Sequence, residues 1–287
     1  MYRIVLPMDF SERSIDAAMY AKALAGHLQC EIQAIHVIDL RAYGMYGLVS
    51  EDLGPVEPAT DFSLGAQGQM DKFLARVLQG VTVKQVLLYG DPAREIVKYA
   101  HSEKADLIMM PTHGRGPFRR FLLGSVTAKV LHDADCPVWT GVHMEAAPRS
   151  EPVTFSRILC ALDPWVDAHD ALAWGWKFGG EIGGQVRIVH AMPAIYSPDS
   201  ADASAEIKKR MRDRAEAEIR KVQQSADSNA EVQSVTGDAS EAVCAAARDW
   251  QADLMVIGRG AASEVLGRLR SRSYSIIRES PCPVVSV

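Results

Sequence analysis

Nine residues separate Gly114 from Gly124-Ser125 in the stretch that begins Met110-Pro111-Thr112-His113-Gly114-Arg115 and ends Gly124-Ser125-Val126-Thr127. Glycines let a backbone come close to a ligand. Gly124-Ser125 opens a helical pattern, so its free amides and the positive end of its dipole can hold a phosphate. Ser125 and Thr127 add hydroxyl donors, and Arg115, Arg119 and Arg120 add positive charge. The loop is not a Walker A loop, because that motif places a lysine after its last glycine. Other chemistries find less support. The histidines and carboxylates have no close metal-ligand spacing such as HExxH. Neither a GxSxG elbow nor a catalytic cysteine signature occurs.

These residues need elements to position them. Arg3–Pro7 reads as a short apolar strand, and Ser11 as the cap of a helix with Ala17, Ala21, Leu24 and Leu28 on one face. Glu31–Val37 reads as a second strand, Asp61–Gln79 as a helix and Val81–Tyr89 as a third strand. Asp91-Pro92 combines an N-cap with proline at the first helical position. Asp106–Met110, Gly124–Ala134 and Pro137–Val142 complete the series as strand, helix and strand. Such alternation predicts a parallel, doubly wound sheet that binds ligands beyond the carboxyl ends of its strands.

The series is written twice. Arg3–Asp9 resembles Arg157–Asp163 at an offset of 154, and Ile35-His36-Val37 keeps that offset with Val189-His190-Ala191. Gly90-Asp91 and Ala105-Asp106-Leu107 recur at Gly237-Asp238 and Ala252-Asp253-Leu254, an offset of 147. Cys136-Pro137-Val138 recurs at Cys282-Pro283-Val284, an offset of 146. Five landmarks in one order indicate duplication. The length agrees, since 287 residues at about 150 per domain give two. The domains are expected over residues 1–144 and 155–287, joined by a polar, Pro-bearing linker near Met144–Thr154. Each is expected to be an α/β, Rossmann-like domain with a five-stranded parallel sheet, the two paired through their apolar last strands.

Composition narrows the class. Charged residues make up 23% and the net charge is −5, which argues against a whole-chain nucleic-acid or acidic-membrane binder. No apolar run spans a bilayer, no secretory leader is legible, and the five cysteines form no CxxC pair. The expected protein is cytoplasmic with reduced thiols.

With these features assembled, the chain resembles the universal stress protein family in its tandem form, once per copy. Nucleotide-binding members of that family carry G-x2-G-x9-G-[S/T] after the fourth strand. Here Gly114 and Gly124-Ser125 match its latter part, and Pro111 stands at the first glycine. Asp9, His36-Val37 and Cys136-Pro137-Val138 match other landmarks. The resemblance implies a site for ATP, or for AMP or ADP, with Mg²⁺ carried by the nucleotide. Asp9 and Val37 would face the adenine, beside Pro7 and Met8. Met110 and Pro111 would lie near the ribose. His113, Gly114, Arg115, Gly124, Ser125, Val126 and Thr127 would surround the phosphates. Proline has no N–H, so the expected loss is one hydrogen bond, on the order of 1 kcal/mol.

Copy two departs further. Arg270 replaces the glycine before Ser271, the loop is one residue shorter, and Ala191 replaces the valine. A degenerate second site is expected. Asp9 can instead cap the helix at Ser11, and His36 and His190 can be packed histidines. Residues 40–69 read as a cover over the site or as a surface loop. The family's last strands join subunits, so a homodimer is also implied. The readings that remain open are a nucleotide-binding signalling module, a slow ATP hydrolase using His113 as base, and a nucleotide-free scaffold.

Overall fold

Parallel strands buried on both faces read as unbroken apolar runs, and Ile4-Val5-Leu6-Pro7 is such a run, buried throughout. A computed structural model of the chain describes residues 1–39, 60–112, 123–141, 153–166, 168–197, 203–259 and 271–287. It divides into two units, the first built on residues 1–139 and the second on residues 154–287.

In the first unit the strands are β1 (Tyr2–Pro7), β2 (Cys30–Ile38), β3 (Val83–Tyr89), β4 (Leu107–Pro111) and β5 (Val138–Gly141). The helices are α1 (Glu12–His27), α2 (Thr60–Val77), α3 (Pro92–Ser102) and α4 (Ser125–Asp133). The strand order is β3-β2-β1-β4-β5. β1 pairs in parallel with β2 from Tyr2↔Cys30 to Pro7↔Ile35, and with β4 at Ile4↔Leu107. The chain therefore steps outward from β1 through β2 to β3, then returns to lay β4 on the other side of β1. That reversal leaves a crevice at the carboxyl ends of β1 and β4.

The second unit repeats the plan. Its strands are β6 (Arg157–Ala161), β7 (Gln185–Met192), β8 (Glu231–Thr236), β9 (Leu254–Ile257) and β10 (Val284–Ser286). Its helices are α5 (Ala168–Ile182), α6 (Ala205–Ser225), α7 (Ala239–Asp249) and α8 (Ser271–Glu279). The order β10-β9-β6-β7-β8 places the reversal between β6 and β9, which pair in parallel at Ile158↔Leu254.

Element ends shift from the sequence reading for local reasons. The third strand starts at Val83 rather than Val81, because Gly80 takes φ +80° and Val81 N–H closes a turn onto the Leu78 carbonyl at 3.2 Å. Helix α6 starts at Ala205, because Ser204 caps it by accepting from Ile207 N–H at 3.3 Å. On its surface, Glu216 and Arg220 pair at 3.7 Å. Helix α5 lies close on its sheet. A Cβ added at Gly175 would stand 2.4 Å from Cys160 Sγ, and one at Gly179 would stand 2.4 Å from Val186 Cγ2. Among the described residues, no helix is long and apolar enough to cross a membrane.

Candidate functional site

In the first unit, Asp9 leaves the carboxyl end of β1 and is held by the start of α1. Its Oδ1 accepts from Ser11 N–H at 3.0 Å and from the Ser14 hydroxyl at 2.6 Å. Ser14, only 1% exposed, also accepts from Asp9 N–H at 3.2 Å. Ser11 in turn caps the helix by accepting from Ser14 N–H at 3.3 Å. Asp9 thus belongs to the helix cap and is half-buried at the strand end.

Pro7 pairs with Ile35, and Met8 N–H donates to the Ile35 carbonyl at 2.9 Å. His36 is the packed histidine of this corner, with Nδ1 2.7 Å from the Met8 carbonyl. A carbonyl only accepts, so Nδ1 carries the hydrogen. Phe10, at φ 61°, lays its ring 4.4 Å from the His36 ring. Val37 is half-buried beside them on β2.

Across the crevice, Met110 and Pro111 end β4, both buried. Pro111 has no N–H to give, but its carbonyl accepts from the Thr127 hydroxyl at 2.9 Å. Thr127 is 3% exposed, so this bond ties the first turn of α4 to the strand. Gly124 N–H donates to the Thr112 carbonyl at 2.7 Å. Gly124 is the N-cap of α4 and supplies no side-chain cap. By contrast α1, α3, α6 and α7 are capped by Ser11, Asp91, Ser204 and Asp238, each accepting from a first-turn N–H. Ser125 is exposed and Val126 half-buried at the uncapped end.

Pro7, Met8, Asp9, Val37, Met110, Pro111 and Gly124 to Thr127 therefore gather at one end of one sheet. His113, Gly114, Arg115, Arg119 and Arg120 lie outside the described residues, as does the 40–59 part of the expected cover. The remainder of that segment, from Thr60 onward, is the start of α2.

The second unit shows a cavity of about 290 Å³ at the carboxyl ends of β6 and β9. Asp163, Trp165, His190, Ala191 and Gly258 line it, as does Ser273 of α8. His190 repeats the His36 arrangement, with Nδ1 3.0 Å from the Leu162 carbonyl. Asp163 Oδ1 accepts from Trp165 N–H at 3.2 Å. Position 168, which corresponds to Ser14 at the offset of 154, holds alanine. Arg270, which replaces the glycine in this copy's loop, lies outside the described residues. Among the described residues, no group of three or more His, Cys, Asp or Glu could hold a metal ion.

Sequence reasoning passed over Ser14, Trp165 and Ala168. The signal lay in the repeat itself: lining up the residues after Asp9 and Asp163 exposes the Ser14-to-Ala168 exchange.

The model of the universal stress protein family matches residues 1–140 and 154–287. A universal stress protein of Methanocaldococcus jannaschii is 37% identical over 147 residues, covering 47% of this chain and 79% of that protein. A second one from the same organism is 32% identical over 151 residues, 48% of this chain and 93% of that protein. The crystal structure of a universal stress protein from Archaeoglobus fulgidus matches 99% of this chain and 95% of its own, with TM-score 0.64 and 26% identity.

Proposed function

The chain belongs to the universal stress protein family, and on that premise we propose that its N-terminal domain binds ATP or a related adenine nucleotide. The domain is taken over residues 1–144. In this reading the protein is a cytoplasmic stress-response module that binds and signals rather than turning over substrate quickly. The second domain, over residues 155–287, does not bind nucleotide equivalently.

One observation carries the proposal. Helix α4 begins at the crevice with Gly124 and no side-chain cap, whereas four other helices are capped by their own side chains. An uncapped helix start leaves amide hydrogens without partners and a positive dipole end, which is the condition under which a phosphate binds. Ser125, Val126 and Thr112 stand around that end. In this reading Asp9, just past β1, and Val37 of β2 face the base. The Thr127 hydroxyl serves to hold α4 against Pro111. Any Mg²⁺ arrives with the nucleotide, which supplies most of its ligands.

The test is mass spectrometry of small molecules released from the purified chain, followed by calorimetric titration with ATP, ADP and AMP. Gly124 has φ −63° and ψ 145°, a conformation open to any residue, so Gly124→Arg adds bulk without straining the backbone. One nucleotide per chain is expected, with affinity about tenfold or more weaker in Gly124→Arg once the amide–phosphate bonds are lost. No heat at millimolar ATP, or two equivalent sites per chain, would refute the reading.

A further inference from the structure

We propose that the amino-terminal half of helix α6 is a docking surface for an acidic segment of a partner protein, one with an aliphatic side chain among its carboxylates. The proposal rests on the surface of the C-terminal unit and stands apart from the nucleotide reading of the N-terminal unit.

Charge comes first. Between Ala205 and Arg214 stand five cations, Lys208, Lys209, Arg210, Arg212 and Arg214, against two acids, Glu206 and Asp213. This local excess lies on a chain whose net charge is −5. Lys208 is buried, on the packed face with Ala215 and Ile219. The other four cations are exposed. Further along the helix Arg220 pairs with Glu216 at 3.7 Å and Lys221 with Glu218 at 2.9 Å. Among the described residues, Lys209, Arg210, Arg212 and Arg214 have no ion-pair partner.

Their position sharpens the point. A helix dipole favours acids in the first turn and cations in the last. Helices α1, α3 and α7 follow that rule at both ends, with Glu12 and His27, Glu95 and His101, and Glu241 and Arg248. Helix α6 has no basic residue in its last turn and gathers its unpaired cations toward its start. A pattern that works against its own helix marks a functional surface when nothing within the described fold offsets it. An external anion supplies the offset.

Apolar side chains set the kind of anion. Ile207 is 48% exposed. Helix α6 packs against the 3₁₀ turn Ala194–Tyr196, where Ile195 is 45% exposed. Ile207, Arg210 and Arg214 stand at i, i+3 and i+7, so they share one flank of the helix. That flank offers an aliphatic contact beside two guanidinium forks, and each fork can hold a carboxylate through two parallel hydrogen bonds. Arginine clusters of this kind read acidic motifs. Glu206 and Asp213 are exposed among the cations. A continuous sheet of lipid phosphates, or a nucleic-acid backbone, would press on both acids. A peptide can set its carboxylates opposite the arginines alone.

The probe is a fluorescein-labelled synthetic peptide with the repeating unit Glu-Glu-Leu, followed by fluorescence anisotropy with the full-length chain. The expected result is saturable binding with Kd of about 100 μM or tighter, weakening as salt rises. A peptide with the repeating unit Gln-Gln-Leu is expected not to bind. Arg214→Glu is expected to weaken binding about tenfold, and Ile207→Ser several-fold. Arg220→Glu makes the same charge change on the same helix outside the surface, and is expected to change affinity less than twofold. Thermal melts confirm that each variant folds; all three positions are exposed. Equal binding of the neutral peptide, or equal losses in Arg214→Glu and Arg220→Glu, would overturn the proposal. So would tighter binding to phosphatidylserine vesicles or to duplex DNA than to the peptide. Self-association of the chain that Arg214→Glu abolishes would assign the surface to a second copy and would also overturn it.

Discussion

Thr127 and Ser14 hold the N-terminal site together through one hydroxyl each. Thr127 Oγ1 donates to the Pro111 carbonyl from a fully enclosed position. Replacing it with the isosteric valine leaves that carbonyl unpaired, so Thr127→Val is expected to lower unfolding free energy by about 1–2 kcal/mol in urea denaturation. Ser14→Ala removes the hydroxyl that donates to Asp9 and accepts from its N–H. The expected loss is on the order of 1 kcal/mol, with m unchanged. Neither bond was legible in the sequence, although both residues stand near readable motifs. The cap at Ser11 follows from a local pattern. Ser14 meeting Asp9 requires the chain to turn first, with Phe10 at positive φ. The residues around Asp9 are compatible with both a cap and a ligand contact. The structure supplies the cap, and the geometry leaves the carboxylate at the strand end, where ligand contact is proposed.

At the scale of elements, helix starts and helix–sheet distances carry the energetics. Asp238 accepts from Ser240 N–H at 2.9 Å and Glu241 N–H at 3.3 Å, so Asp238→Ala is expected to cost about 1 kcal/mol of stability. The aspartate cap and the spacing to Glu241 are local, and the sequence shows them. The approach of α5 to β6 is not local. Gly175 and Gly180 are both glycines in one helix, yet a Cβ meets Cys160 Sγ at 2.4 Å at the first and nothing within 4 Å at the second. Gly175→Ala is therefore expected to destabilise by about 1–3 kcal/mol through overpacking. Gly180→Ala is expected to stabilise by about 0.5–1 kcal/mol through the unfolded chain's lost freedom. Paired denaturation curves decide both, and equal effects would refute the packing argument.

Across the whole molecule, burial governs the thiols. None of the five cysteines forms a disulfide. Burial pushes Cys160 up to about 12, Cys282 to about 12 and Cys244 to about 11. The thiolate is the reactive form, so these three are expected to resist alkylation at pH 8 until the chain unfolds, as peptide mass spectrometry would register. The folded thiols hold protons that unfolded ones, near 9.0, release. Their contribution is therefore complete below about pH 9 and is lost as pH rises toward 12. Thermal melts across that alkaline window should fall progressively. The sequence by itself determined the duplication, the alternation of strands and helices and the family, because order, periodicity and capping chemistry are local properties of a chain. It also located the strand ends and the helix start where a nucleotide is proposed to bind. Tertiary structure alone decided which hydroxyl meets which carboxylate and how closely α5 lies on its sheet. It also placed a cavity in the copy whose loop sequence is the more degenerate. A cavity forms where small side chains from distant segments converge, as Ala161, Ala168, Ala191 and Ala239 do here, and no local pattern records that convergence.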